Sequence, residues 1–262
     1  MAFDLDTYSR IAGRLDVSDL DLDGGFRAQP LDDDALRCLR YMHDIESHTV
    51  CYLRDILVTR AHRDPNLTTF LTLWNFEEHW HGDAIGAVLA AHDRDHGRPR
   101  VAATRGETGF RERLRPLAFM AASGLLPDIT AIQMTWGAIN EWTTQAGYAR
   151  LGRRAGHPLL QELLGRIMRQ EGRHVDFYAS QASTRLASDR RAQRLTRFAL
   201  TRYWKPVGSD VMPQAEVRFM VNHLFGDDGG AAVVERLDRN IHRLPGLDGL
   251  YLLRSAAQRR AA

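Results

Sequence analysis

Two segments of the chain carry a glutamate followed three residues later by a histidine: Glu78-x-x-His81 and Glu171-x-x-His174. On a helix, positions i and i+3 share a face, so each pair presents a carboxylate and an imidazole side by side. With ten glutamates and eleven histidines, chance placement gives only about 0.4 such pairs. A lone glutamate precedes each pair at a similar distance: Glu46 lies 32 residues before Glu78, and Glu141 lies 30 before Glu171. The pattern is a helix hairpin used twice, each hairpin supplying one Glu and then Glu-x-x-His. Four carboxylates and two imidazoles are a donor set for two metal ions. Carboxylates can bridge a pair of ions and change binding mode with oxidation state, and one imidazole per ion leaves positions open to O2.

The elements that position these residues are helices. From Leu31 onward apolar residues recur at intervals of three and four, the amphipathic-helix period. The spacing predicts long helices over about 32–61, 67–96, 128–154 and 158–187, a short apolar helix over about 110–123, and further pieces over 189–204, 213–226 and 230–243. Residues 1–30, rich in Asp, read as an irregular arm, and the glycines and proline of 97–109 read as a break. No alternating strand pattern is present. The six donors fall in phase with the apolar stripes: His43, Glu46, Val50, Leu53 and Leu57 on the first helix; Trp74, Glu78, His81 and Ile85 on the second; Met134, Gly137, Glu141 and Thr144 on the third; Ile167, Glu171, His174 and Tyr178 on the fourth. Glu77, His48, His79, His92 and His96 fall off the stripes and read as surface, and His43 as a satisfied core histidine. Between Arg115 and Arg150 the only charged residues are Asp128 and Glu141, so Glu141 has no cation in its own segment. Buried converging carboxylates require a cation or protonation. The fold expected is all-α: a four-helix bundle of the ferritin-like, di-metal carboxylate type with additional C-terminal helices. One domain is expected, with an arm at 1–30, a metal-binding bundle at 31–187 and accessory helices at 188–262.

Composition excludes other classes. The 262 residues are 44% hydrophobic and 26% charged, enough to bury a large core. Two cysteines, Cys38 and Cys51, make neither a disulfide framework nor a Cys-based zinc site. No segment approaches 18 uncharged apolar residues and the N-terminus has no apolar signal core, so a soluble, cytoplasmic protein without membrane or nucleic-acid partners is expected. The net charge is +2, and Lys205 is the only lysine among 35 basic residues. With the four donor glutamates set aside, 35 basic residues face 29 acidic ones. That excess is expected to present a basic face to an acidic carrier protein.

Two segments resemble those of the soluble acyl-carrier-protein desaturases. Trp74-Asn-Phe-Glu77-Glu78-His-Trp-His81-Gly82-Asp83 is similar to that family's Trp-x-x-Glu-Glu-Asn-Arg-His-Gly-Asp, and Gln170-Glu171-Gly-Arg173-His174-Val-Asp-Phe-Tyr178 is similar to its Asp-Glu-Lys-Arg-His-Glu-Thr-Ala-Tyr. Glu141-Trp-Thr-Thr144 matches the family's Glu followed three residues later by a Thr beside the oxygen pocket. The resemblance covers about residues 31–187. It implies two iron ions per chain, with manganese the alternative, held by Glu46, Glu78, His81, Glu141, Glu171 and His174. It further implies Thr144 assisting O2 or proton handling, an acyl chain presented on acyl carrier protein, a ferredoxin-type electron donor and a homodimer. One departure stands out: the family's acid before the second-motif Glu is Gln170 here, and that acid is a hydrogen-bond partner of a metal-bound histidine.

The rival readings of the same donor set are a di-iron oxygenase of a biosynthetic pathway, hydroxylating or N-oxygenating a tethered substrate, an iron-storage bundle, and a metal-free scaffold. A radical-generating reductase subunit is disfavoured by Ile85, which stands four residues after His81 where a radical tyrosine is expected.

Overall fold

The structure is a computed structural model that describes residues 3–107, 109–126 and 128–261. Every regular element among them is a helix: α1 (Leu5–Ile11), α2 (Leu22–Ala28), α3 (Asp33–Glu46), α4 (Thr49–Leu57), a 3-10 turn at Arg60–Arg63, α5 (Pro65–Ala91), α6 (Gly97–Gly106), α7 (Phe110–Leu125), α8 (Ile129–Ala155), α9 (Pro158–Ala187), α10 (Arg190–Tyr203), α11 (Gln214–Phe225), α12 (Asp228–His242) and α13 (Leu252–Ala261). The all-α expectation holds. The chain also divides into two compact units, one of residues 5–117 and 151–170, the other of residues 1–4, 118–150 and 171–262. No helix of the described residues is long and apolar enough to cross a membrane.

Helices α8 and α9 follow the predicted spans because their boundary chemistry is local. Gly156 takes a left-handed φ of 61°, the conformation that ends many helices and that glycine adopts without strain. Pro158 then opens α9, where a missing N–H costs nothing.

In the unit of residues 5–117 and 151–170, α3 packs closely on α5. A Cβ built at Gly82 would stand 3.1 Å from Ser47 Oγ and 3.4 Å from Glu46 Cβ, so the glycine lets the two helices approach at the level of Glu46. Leu36, Leu39, Leu67, Phe70, Leu71, Ile85 and Val88 are buried around this contact. Each contributes about 1.5–3 kcal/mol of burial, which holds the donor-bearing faces together.

Three expectations change here. The first long helix is two, broken at Ser47–His48. His48 N–H bonds to Ile45 O at 2.9 Å, a tightened i→i−3 turn, and Thr49 Oγ1 donates to Glu46 O at 2.7 Å. Arg105 Nη2 donates to Ser47 O at 2.6 Å, so the carbonyls freed by the break are satisfied by side chains. The phase shifts across the break: Val50, in phase with the predicted stripe, is exposed, while Asp55 is buried. The arm is not irregular but forms α1 and α2. Asp21 caps α2 by accepting from Gly24 N–H at 2.9 Å, and Tyr8 and Phe26 are buried. Finally, residues 97–106 form α6, because Pro99 falls in the first turn, where helix N–H groups have no partner within the helix.

In the other unit, Gly137 on α8 faces the ring of Tyr178 on α9, and a Cβ there would lie 2.4 Å from Cδ1. Met134, Ile139, Tyr148 and Phe177 are buried in the same unit. Arg150 Nε donates to Leu224 O at 2.8 Å, and its Nη2 pairs with Asp227 at 2.5 Å, which fastens α8 to the α11–α12 junction.

Candidate metal centre

All six sequence-predicted donors are buried: Glu46, Glu78 and His81 in one unit, Glu141, Glu171 and His174 in the other. Within each unit they come together. Glu46, Glu78 and His81 offer ligand atoms within 4.8 Å of one another, and so do Glu141, Glu171 and His174. Each buried Glu/His cluster could hold a metal ion.

In the first cluster the i,i+3 spacing on α5 sets His81 Nδ1 4.0 Å from Glu78 Oε2. Across α9, Gln170 Oε1 accepts from His81 Nε2 at 2.8 Å, while Gln170 Nε2 donates to Gly13 O at 3.1 Å. A backbone carbonyl only accepts, so the amide's NH2 must face Gly13 and its oxygen must face His81. Nε2 therefore carries the imidazole proton, and the Nδ1 lone pair is on the Glu78 side, where a metal ligand needs it.

The arm does more than cover the core. Gly13 N–H donates to Glu77 Oε1 at 3.2 Å, and Tyr8 Oη donates to Glu77 Oε2 at 2.8 Å. Glu77 is thus buried, against the expectation of a surface residue, because the arm supplies its donors from more than 60 positions upstream. His48 also proves buried rather than exposed, for it stands at the α3–α4 break. His79 and His96 are exposed as expected. His92 is half-buried: its Nδ1 bonds to Val88 O at 2.8 Å, and its Nε2 accepts from Leu31 N–H at 3.0 Å. His43 is a satisfied core histidine. Its Nε2 accepts from Gly97 N–H at 3.1 Å, so its Nδ1 is the donor to Asp44 Oδ1 at 3.1 Å. Asp44 is buried but held below the usual carboxylate range, since the hydrogen bonds from His43 and Arg100 outweigh the burial that opposes them.

In the second cluster His174 Nδ1 lies 3.2 Å from Glu171 Oε2, again at i,i+3. Glu141 comes from α8, one turn beyond Gly137. The guanidinium of Arg150, nine residues on along α8, is engaged by Asp227. Thr144 lies one turn further along α8 and is half-buried; its neighbour Thr143, not Thr144, donates back to the helix at Ile139 O, 2.7 Å.

Two buried carboxylates and an imidazole within 4.8 Å are a poor neutral core and a good cation site, so the donors fit a divalent ion on charge as well as on type. The residues missed by sequence reasoning are Glu77 and a third group made by His48, Cys51 and Glu112, whereas Gln170, singled out there as standing where the resembled family has a histidine's hydrogen-bond partner, does bond His81. The i,i+3 spacing of His48 and Cys51 was the available signal for the last. Comparison of the chain with protein-family models, curated proteins and solved structures gives no match.

Proposed function

We propose that the two clusters make one dimetal centre and that the protein is an O2-dependent di-iron desaturase. It would introduce a double bond into an acyl chain carried as a thioester on acyl carrier protein. The observation that carries the dimetal reading is that each unit brings together two buried glutamates and one histidine, half of a two-ion donor set. Glu46, Glu78, Glu141, Glu171, His81 and His174 would hold the ions, with iron favoured over manganese by the O2 chemistry. A bound iron pair supplies the activation of O2 and the removal of hydrogen from an unactivated C–H bond.

The chain's own contribution is orientation and exclusion of water. Gln170 keeps His81 in the ligating tautomer, Glu77 and the arm lock α5, and Thr144 offers a hydroxyl one turn from Glu141 for a proton. Desaturation rather than oxygenation is supported by the two motif segments and by Glu141-x-x-Thr144. Carrier binding is supported by α7, which exposes Phe110, Leu114 and Leu117 beside the exposed Arg113, a face suited to an acidic, partly apolar partner. A ferredoxin-type donor and a homodimer complete the proposal by resemblance.

The test is anaerobic Fe(II) reconstitution with metal counting, followed by reaction with acylated carrier protein, reductant and O2. Two irons per chain, lost in Glu141→Ala and His174→Ala, and an unsaturated product without added oxygen are expected. One iron or none defeats the centre. An oxygenated acyl product transfers the protein to the oxygenase class.

A further inference from the structure

A third group of donors shares no residue with either Glu/His cluster. His48, Cys51 and Glu112, all in the unit of residues 5–117 and 151–170, offer an imidazole nitrogen, a thiol sulfur and a carboxylate oxygen within 4.8 Å of one another. His48 stands at the α3–α4 break and Cys51 one turn on, with Cys51 N–H bonded to His48 O at 2.8 Å. That turn sets both side chains on one side of the chain. Glu112 arrives from the first turn of α7. The His48 side chain is only 1% exposed, and neither of its ring nitrogens makes a hydrogen bond of good geometry; its polar neighbours are the Cys51 thiol and the Glu112 carboxylate. Glu112 Oε1 stands 3.5 Å from Nε2, beyond a good hydrogen bond. A buried polar ring left without hydrogen bonds costs about 1–3 kcal/mol, and an ion ligated at one nitrogen relieves part of that cost.

We propose that His48, Cys51 and Glu112 form a separate mononuclear site for a zinc-class divalent cation. Thiolate, imidazole and carboxylate together suit zinc better than the hard cations, and three protein ligands leave a fourth position for water. Binding displaces the Cys51 thiol proton to solvent, and the sulfur's lone pair makes the bond to the metal. The half-exposed Cys51 provides the way in. Two guanidiniums hold Glu112: Arg54 Nη2 lies 3.2 Å from its Oε1, and Arg115 Nη1 lies 2.7 Å from its Oε2. Both arginines also pair with the buried Asp55, so they keep a carboxylate partner when Glu112 turns to the ion. The Tyr52 ring packs edge-on against His48 at 5.4 Å and fixes its plane. The acid–thiol–imidazole combination is chemically unlike the carboxylate-rich clusters, and that difference makes it separately observable.

The probe is Co2+ titrated anaerobically into the full chain. Thiolate ligation produces a sulfur-to-cobalt charge-transfer band in the near ultraviolet that carboxylates and imidazoles alone do not. The band is expected to reach the intensity of one thiolate-bound cobalt per chain, to be bleached by Zn2+, to vanish in Cys51→Ser, and to need at least about tenfold more cobalt in Glu112→Gln. Cys38→Ser and His174→Ala are expected to leave it unchanged. Absence of the band from the unmodified chain, or its survival in Cys51→Ser, overturns the site. Because His174→Ala removes the Glu/His centre and not this band, failure of one assignment is told apart from failure of the other.

Discussion

Gln170 Oε1 accepts a hydrogen bond from His81 Nε2 at 2.8 Å, and the backbone of Gly13 leaves the amide no other way to face. A neutral amide here does the orienting part of what a carboxylate would do, without adding negative charge beside the donors. The imidazole keeps its ligating tautomer but is a weaker electron donor than one bonded to a carboxylate.

Replacing Gln170 by Leu removes the acceptor and frees the ring to turn. Metal affinity is expected to fall by about 10–100-fold, while Gln170→Glu retains or strengthens binding. Isothermal titration with Mn2+ on the metal-free variants measures this; equal affinity for Gln170→Leu and the unmodified chain would show that the bond does not orient the ligand.

Glu171 and Glu141 are buried with carboxylate oxygens within 4.8 Å of each other, a like-charge pairing that a bound cation would offset. Glu171→Gln is expected to stabilise the metal-stripped protein by about 1–3 kcal/mol, through relief of a close like-charge contact. The same change abolishes the rise in Tm that a divalent ion gives the unmodified chain. Thermal unfolding with and without Mn2+ separates the two effects. A variant whose metal-free Tm is lowered contradicts this account of the cluster.

Gly137 and Tyr178 share one space. A Cβ at position 137 would lie 2.4 Å from the Tyr178 ring, so Gly137→Ala forces the ring or the helix to move. The expected loss is about 1–3 kcal/mol in urea unfolding, larger than the gain of about 1 kcal/mol from the better helix former. Pairing it with Tyr178→Leu recovers most of the loss. Additive losses in the double variant would locate the strain elsewhere.

Acid loosens the arm at a definite place. The hydrogen bond from Arg166 drops the Asp19 carboxyl to about 2, from an ordinary 3.8. Its folded value is depressed, so the pairing operates above about pH 4 and is lost as the pH falls toward 2. NMR titration of the Asp19 carboxyl tracks this loss, and Arg166→Gln is expected to return the midpoint to the ordinary range. An unshifted midpoint in the unmodified chain would dispose of the prediction.

What could be read from the residues alone was whatever repeats along a helix. The six donors sit at core positions, so periodicity and i,i+3 spacing exposed them, and Gly156 and Pro158 marked their own boundary. The break after Glu46 escaped because Val50, Leu53 and Leu57 continue the apolar period through it, while the Thr49 hydroxyl and Arg105, 58 residues downstream of Ser47, take up the carbonyls of Glu46 and Ser47. Burial of Glu77 escaped for a related reason. Its partners Tyr8 and Gly13 lie 69 and 64 positions away, and hydrogen bonds between distant segments leave no period to detect. Likewise nothing along the chain connects Glu112 with His48. In the arm, α2 was concealed by the acidic residue that caps it, Asp21.

The interruption at Ser47–His48 also bears on which length changes the chain can absorb. In one continuous helix, inserting a residue among positions 49–57 would turn the upstream part by about 100° relative to the downstream part, and Glu46 would leave its face. With the helix already parted, a gain or loss of one residue there shifts only α4 and leaves the register of Glu46 untouched. Natural variation in segment length should therefore collect after this joint and be rare ahead of it.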